Sequence, residues 1–166
     1  MNIIIKKHLL IYKGNKIKCC VGKSGITNSK IEGDMATPKG MFNLGTIYFR
    51  KDRVNLKKCK IRTKVIKKNM GWCDDVRSKK YNKEIDIRSK YRSEKLYRRD
   101  HLYDIFINIK YNSSPVLKKK GSAIFLHLCR KNYSPTKGCI AIQKKDMLKI
   151  IPLITRKTKI LIKKLF

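Results

Sequence analysis

Apolar and polar positions alternate along DIFINIKY (104–111), where Ile105, Ile107 and Ile109 fall on one side and Phe106, Asn108 and Lys110 on the other. A two-residue period predicts a strand, because successive side chains leave a strand on opposite faces. SAIFLHLC (122–129) is apolar at nearly every position, as suits a strand covered on both faces. GCIAIQ (138–143) reads as a third strand and TKILIKK (158–164) as a closing, alternating one. Nearer the start, KIKCCVGK (16–23) and GMFNLGTIYF (40–49) are β-prone. Between them IEGDMATPKG (31–40) is turn-rich, punctuated by Gly33, Asp34, Pro38 and Gly40. One clear helix is predicted over KKDMLKIIPLI (144–154), with Met147, Leu148, Ile150 and Ile151 at helical spacing and Pro152 to end or kink it.

Residues 51–100 are much more polar and predict loops with one or two short helices, an insertion or cap over one end of the domain. Trp72, Tyr81, Tyr91 and Tyr97 give that segment something to pack with. Strands dominate and no βαβ alternation is visible. The expected fold is therefore mainly β, an antiparallel sandwich or barrel-like domain with a polar loop and short-helix cap and one C-terminal helix. A chain of 166 residues, 42% hydrophobic, fits one compact domain spanning 1–166.

Charge changes the picture of partners more than of fold. With 43 Lys and Arg against 11 Asp and Glu, the formal net charge is +32. Such a charge draws a chain towards polyanions and allows an anionic wall polymer as partner. The lysines, however, run from Lys6 to Lys164 rather than gathering in one stretch, and Lys, Ile and Asn share A/T-rich codons. A solvated surface of biased composition is the plainer account of the charge and a functional polyanion surface the other, with no specific nucleic-acid partner implied. No run approaches the length of a transmembrane segment, and MNIIIKKHLLIYKGNK lacks the apolar core and cleavage site of a signal peptide. The six cysteines show no C-x-x-C spacing and no disulfide framework.

The chemistry sits in GSAIFLHLCRKNYSPTKGCIAI (121–142). His127 interrupts an otherwise apolar strand, and Cys139 enters the next strand after a turn-like connection. Successive strands are usually neighbours, so His127 and Cys139 are expected to face each other. A thiolate is the nucleophile and a thiol is mostly un-ionised at neutral pH, so a nearby imidazole has a definite use as its base. Lys137, two residues before Cys139, supplies a cation on the same side of an extended stretch. Gly138 lets a substrate approach closely, and the amides around Gly138 and Cys139 are candidates for holding an oxyanion. Each residue also has a plainer reading: His127 as a hydrogen-bonded core histidine, Cys139 as a small buried hydrophobe. A metal site from His127, Cys129 and Cys139 lacks a fourth ligand, so no metal and no organic cofactor is expected.

These residues resemble the signature of the L,D-transpeptidase (YkuD-type) family. That signature is a strand His, a loop, then Ser/Thr-x-Gly-Cys and Ile or Val, here His127 followed by Thr136-Lys137-Gly138-Cys139-Ile140. EGDMATPKGMFNL (32–44), GWCDD (71–75), Tyr81-Asn82, EKLYRRDHLYDIFINIKYN (94–112) and GSAIFLHL (121–128) extend the resemblance over nearly the whole chain. The resemblance implies a β fold with a cap over the site and two-step acyl transfer. Cys139 attacks a peptidoglycan donor stem after an L-centre with His127 as base, a D-amino acid leaves, and the amine of another stem resolves the thioester. It also implies a cell-envelope location. Two positions depart from the pattern: Lys137 stands where many members carry His, and Ala141 where many carry Arg or Asn. The alternatives are an L,D-carboxypeptidase using water at the same site, and a basic polyanion-binding protein with a decayed site.

Overall fold

The computed structural model describes residues 1–164. In chain order the strands are β1 (Ile3–Lys6), β2 (Leu9–Tyr12), β3 (Asn15–Lys18), β4 (Ile26–Thr27), β5 (Thr37–Pro38), β6 (Gly40–Phe49), β7 (Thr63–Val65), β8 (Met70–Cys73), β9 (Glu84–Asp86), β10 (Ser93–Lys95), β11 (Ile105–Ile109), β12 (Phe125–Leu128) and β13 (Ile140–Ile142). Helix α1 (Lys144–Ile150) and β14 (Lys159–Lys163) follow.

The main sheet has the order β13-β12-β11-β6-β14-β1-β2-β3, with β7 alongside β6. Its two ends meet. Beyond β3, Cys20 and Ala141 exchange both backbone hydrogen bonds at 2.9 Å, so the chain leaving β3 pairs with β13 and nearly closes a barrel. Most pairings are antiparallel, as expected for a mainly β domain. The exceptions are the parallel pairs β1–β14, β6–β7, β4–β5 and β12–β13. The strand expected over 16–23 is shorter than its apolar run, because past Lys18 only the bridges of Cys20 to Ala141 and Gly22 to Thr136 remain.

Ile105, Ile107, Leu126, Leu128, Ile140 and Ile142 bury completely in the barrel interior, joined by Met147, Ile150 and Ile151 from the helix. Leu148 instead faces solvent. Helix α1 stops at Ile150 and tightens into a 3-10 turn over Ile151–Leu153, in which Pro152 sits where its missing N–H costs nothing.

The cap differs from its expectation. Residues 51–100 contain no helix among the described residues; besides β7 they build a three-stranded antiparallel sheet, β10-β8-β9. Each strand is only three or four residues long, too short for periodicity to reveal. The intervening turns are locked by carboxylate–guanidinium clamps two residues apart: Asp75–Arg77 at 2.7 Å, Asp86–Arg88 at 2.7 Å and Arg98–Asp100 at 2.6 Å. Asp75 and Asp86 also accept from the backbone N–H two residues on, at 3.0 and 2.9 Å, local bonding that competes with helix formation and favours turns. The cap is pinned to the barrel by Trp72, whose ring meets Phe125 edge-on at 5.1 Å.

Candidate active site

His127 lies on β12, and β13 runs parallel beside it with Leu126 opposite Ile140 and His127 opposite Ala141. Because the pair is parallel, the chain must return to the start of β12 before entering β13. The crossover does so by lying against the segment after β3: Thr136 N–H bonds Val21 O at 3.0 Å and Lys23 N–H bonds Thr136 O at 2.9 Å. This delivers Cys139 opposite Phe125, on the strand face that Ala141 and His127 share. Cys139 and His127 are thus diagonal neighbours on adjacent strands, a placement within reach of an imidazole.

The Cys139 thiol is held from two sides. Its Sγ–H donates to Ala123 O at 3.1 Å, and Phe125 N–H donates to the sulfur at 3.4 Å. Ala123 is itself in the left-handed region, at φ +52. It is fixed there by Asn82, whose Oδ1 accepts from Ala123 N–H at 3.0 Å and from the Trp72 indole at 2.9 Å. The Asn82 amide donates in turn to Tyr111 O and Asn112 O at 3.0 and 2.7 Å. Burial, reinforced by the nearby Glu94 carboxylate, pushes the Cys139 thiol up to about 12. The Phe125 amide and Lys30 oppose that rise. The cation that bears on the sulfur is therefore Lys30 rather than Lys137.

His127 is buried, and Nδ1 carries the proton, because it lies 2.8 Å from Leu128 O, which can only accept. Nε2 has no partner among the described residues, yet no buried side-chain nitrogen or oxygen is left without one, so Nε2 opens onto the cleft as an acceptor. Burial pulls the imidazole down to about 4, so it is neutral at physiological pH. No hydrogen bond joins it to Cys139 in this resting arrangement, since the thiol proton is on Ala123 O. The Tyr103 ring packs edge-on against His127 at 5.3 Å.

Lys137 lines the cleft beside Cys139, and the amide of Gly138 between them is already engaged. The Gly138 N–H is engaged by Thr136 Oγ1 at 3.1 Å, and Thr136 Oγ1 also donates to Cys139 O at 2.5 Å. The amide without an acceptor among the described residues is that of Cys139 itself. Gly138 is needed for its backbone: φ is +133, and a Cβ there would lie 2.9 Å from Ala36 O. Lys137 is exposed at the cleft wall, and its charge acts on Glu94.

The cleft holding Cys139 and His127 has a volume of about 840 Å³. The EGDMATPKG segment forms one wall. Asp34 accepts from Lys30 Nζ at 2.5 Å and from the amides of Ile31 and Ala36 at 2.9 Å, while Thr37 Oγ1 accepts from Gly22 N–H at 2.8 Å. Glu94 and Tyr103, joined at 2.6 Å, also line the cleft or its edge, and Glu32 of the EGDMATPKG segment is joined to Ser122 at 2.7 Å. Glu32, Asn82, Glu94 and Tyr103 were missed as site residues. They lie in polar stretches with no spacing that points to chemistry, and only the fold gathers them.

No curated protein and no solved structure matches the chain. Residues 3–162 match the family model described as the L,D-transpeptidase catalytic domain, YkuD. With that match covering nearly the whole length of a mainly β, nearly closed barrel, the chain belongs to the YkuD family of L,D-transpeptidase catalytic domains.

Proposed function

We propose that this chain is a cysteine acyltransferase that remodels peptidoglycan stem peptides through a thioester on Cys139, with His127 as general base. The observation that carries the reading is the state of the two side chains in one cleft. A neutral imidazole has its Nδ1–H tied to Leu128 O and its Nε2 open as an acceptor, and a neutral thiol is oriented by Ala123 O and Phe125 N–H. With the imidazole at about 4 and the thiol at about 12, the resting pair is uncharged. Proton transfer is then coupled to attack on the substrate instead of preceding it.

In the first half-reaction the Cys139 sulfur bonds to the carbonyl carbon after the L-centre of the donor while His127 Nε2 takes the thiol proton. The Cys139 N–H faces the developing oxyanion. The C–N bond breaks, His127 returns its proton to the leaving D-amino acid, and a thioester remains. In the second half-reaction an amine of another stem attacks, giving a cross-link and the free thiol; water in its place gives L,D-carboxypeptidase activity. The substrates place the work at the cell envelope, where the basic surface favours anionic wall polymer through long-range attraction that salt weakens.

The test is His127→Ala. Base-assisted proton transfer commonly supplies about 10²–10⁴-fold in rate, so acylation of Cys139 by a tetrapeptide stem, followed by mass spectrometry, falls by at least that much while the domain stays folded. A variant that acylates at the wild-type rate, or whose loss tracks its unfolding, removes His127 from the mechanism.

A further inference from the structure

In a chain of net charge +32, acidic residues are scarce and nearly all are neutralised. Among the described residues, every Asp and Glu except Glu32, Glu94 and Asp146 has a Lys or Arg nitrogen within 3.0 Å. Asp146 sits in the first turn of α1, where the helix itself is its electrostatic partner. The two left over both line the cleft and are held by hydroxyls instead of cations: Glu32 by Tyr81 and Ser122, Glu94 by Tyr103. The nearest cation to Glu94, Arg98 at 4.0 Å, gives its hydrogen bonds to Asp100. The Glu94 side chain is 34% exposed, so it is open to a ligand.

Glu94 has no evident use in the first half-reaction. An anion near the sulfur works against the thiolate, and the orientation of His127 is already supplied by Leu128 O. The two carboxylates also flank the thiol differently. Glu32 is bonded to Ser122, next to Ala123, which holds the sulfur; Glu94 is bonded to Tyr103, whose ring contacts His127. The imidazole that gives a proton to the leaving amine also takes one from the incoming amine. Both amines therefore pass on the His127 side, which is the side of Glu94.

We propose that Glu94 is the acceptor-binding residue, taking the primary ammonium of the incoming stem as a charge-assisted hydrogen bond and setting the choice between an amine and water. This rests on the acyl-transfer reading given above. The bound ammonium loses one proton to water through the open cleft. Its neutral nitrogen bonds to the thioester carbon as the C–S bond breaks, and His127 carries the second amine proton to the Cys139 sulfur. The sum is an amide, a thiol and one released proton.

The experiment loads Cys139 with a tetrapeptide donor and partitions the thioester among a lysine-bearing stem acceptor, hydroxylamine (uncharged at neutral pH) and water. Glu94→Gln keeps an oxygen for the Tyr103 hydroxyl and removes the charge. Losing a charge-assisted contact costs about tenfold to a hundredfold, so transfer to the lysine-bearing acceptor falls by that factor relative to hydroxylaminolysis and hydrolysis of the same pre-formed thioester, whereas donor loading, freed of an anion beside the sulfur, does not fall. Equal losses with both nucleophiles, or no loss, overturn the assignment and leave the acyl-transfer reading intact. A wild-type protein that never forms the Cys139 thioester overturns both.

Discussion

The Cys139 thiol donates its proton to the carbonyl of Ala123, 3.1 Å away, and not to His127. This carbonyl is aimed by a residue at φ +52, a conformation unfavourable to alanine by about 1 kcal/mol, so something must hold it. Asn82 does, with its oxygen on Ala123 N–H and the Trp72 indole and its amide on two backbone carbonyls. Asn82→Ala strands several buried polar groups at once and is expected to cost roughly 2–4 kcal/mol. Chemical denaturation measures it. A loss under 1 kcal/mol would mean that the segment around Ala123 holds itself.

Alkylation separates a neutral resting thiol from a thiolate–imidazolium pair. Thiolate, not thiol, reacts with iodoacetamide. Burial pushes Cys19 and Cys139 up to about 12 and Cys20 to about 11, whereas Cys59 is the least buried of the six cysteines. Iodoacetamide at pH 8 is expected to modify Cys59 first and Cys139 slowly, while a donor stem peptide is expected to acylate Cys139 alone. Peptide mapping over time reads the order, and faster alkylation at Cys139 would establish a resting ion pair.

His127 makes stability depend on pH in a defined window. Its folded-state value is about 4 against an ordinary 6.5, so below pH 6.5 the unfolded chain binds the proton that the folded chain refuses. Stability is full above pH 6.5 and is lost as the pH falls towards 4, by about 3 kcal/mol in all. Asp52, the highest of the strongly lowered carboxylates at about 2, acts below that window. His127→Gln, neutral throughout, should flatten the difference between pH 7 and pH 4.5 relative to wild type. Parallel curves for the two proteins would show that the ring is not held neutral.

Much of this was readable in the residues, and the part that was not has physical causes. The alternation in 104–111 and the apolar runs at 122–129 and 138–143 gave β11, β12 and β13, because barrel strands bury long continuous faces. His127 and Cys139 stood out as chemistry inside such runs. The parallel direction of β12 and β13 was not readable, since a loop of that length can make either connection. The cap sheet was hidden in strands of three and four residues set among turns rich in Lys, Arg and Asp, whose order comes from ion-pair clamps and one buried Trp. Glu94 was hidden for another reason: it is set apart by taking its hydrogen bond from a hydroxyl and not from a cation, and only the fold shows which carboxylates are bonded to cations.

Gly138 gives the sharpest separation of backbone strain from lack of space. Gly33 and Gly138 both have positive φ, +82 and +133, but a Cβ on Gly33 meets nothing within 4 Å, whereas one on Gly138 lies 2.9 Å from Ala36 O. The obstacle is backbone, carried by the wall that also places Thr37 beside Cys139 O at 3.5 Å. It cannot swing aside as a side chain does. Gly33→Ala therefore costs only the conformational term, about 1 kcal/mol. Gly138→Ala adds a clash that moves either the wall or the turn before Cys139, for a total of roughly 2–4 kcal/mol. In the proposed mechanism that turn also aims the Cys139 amide at the substrate, so acylation should fall by at least about tenfold in the fraction that remains folded, as expected when an oxyanion donor is misplaced. Unfolding midpoints and Cys139 acylation rates measured on both variants decide it. Equal destabilisation would mean that the wall yields freely, and a Gly138→Ala protein that is acylated normally would show that the Cys139 amide is not part of the site.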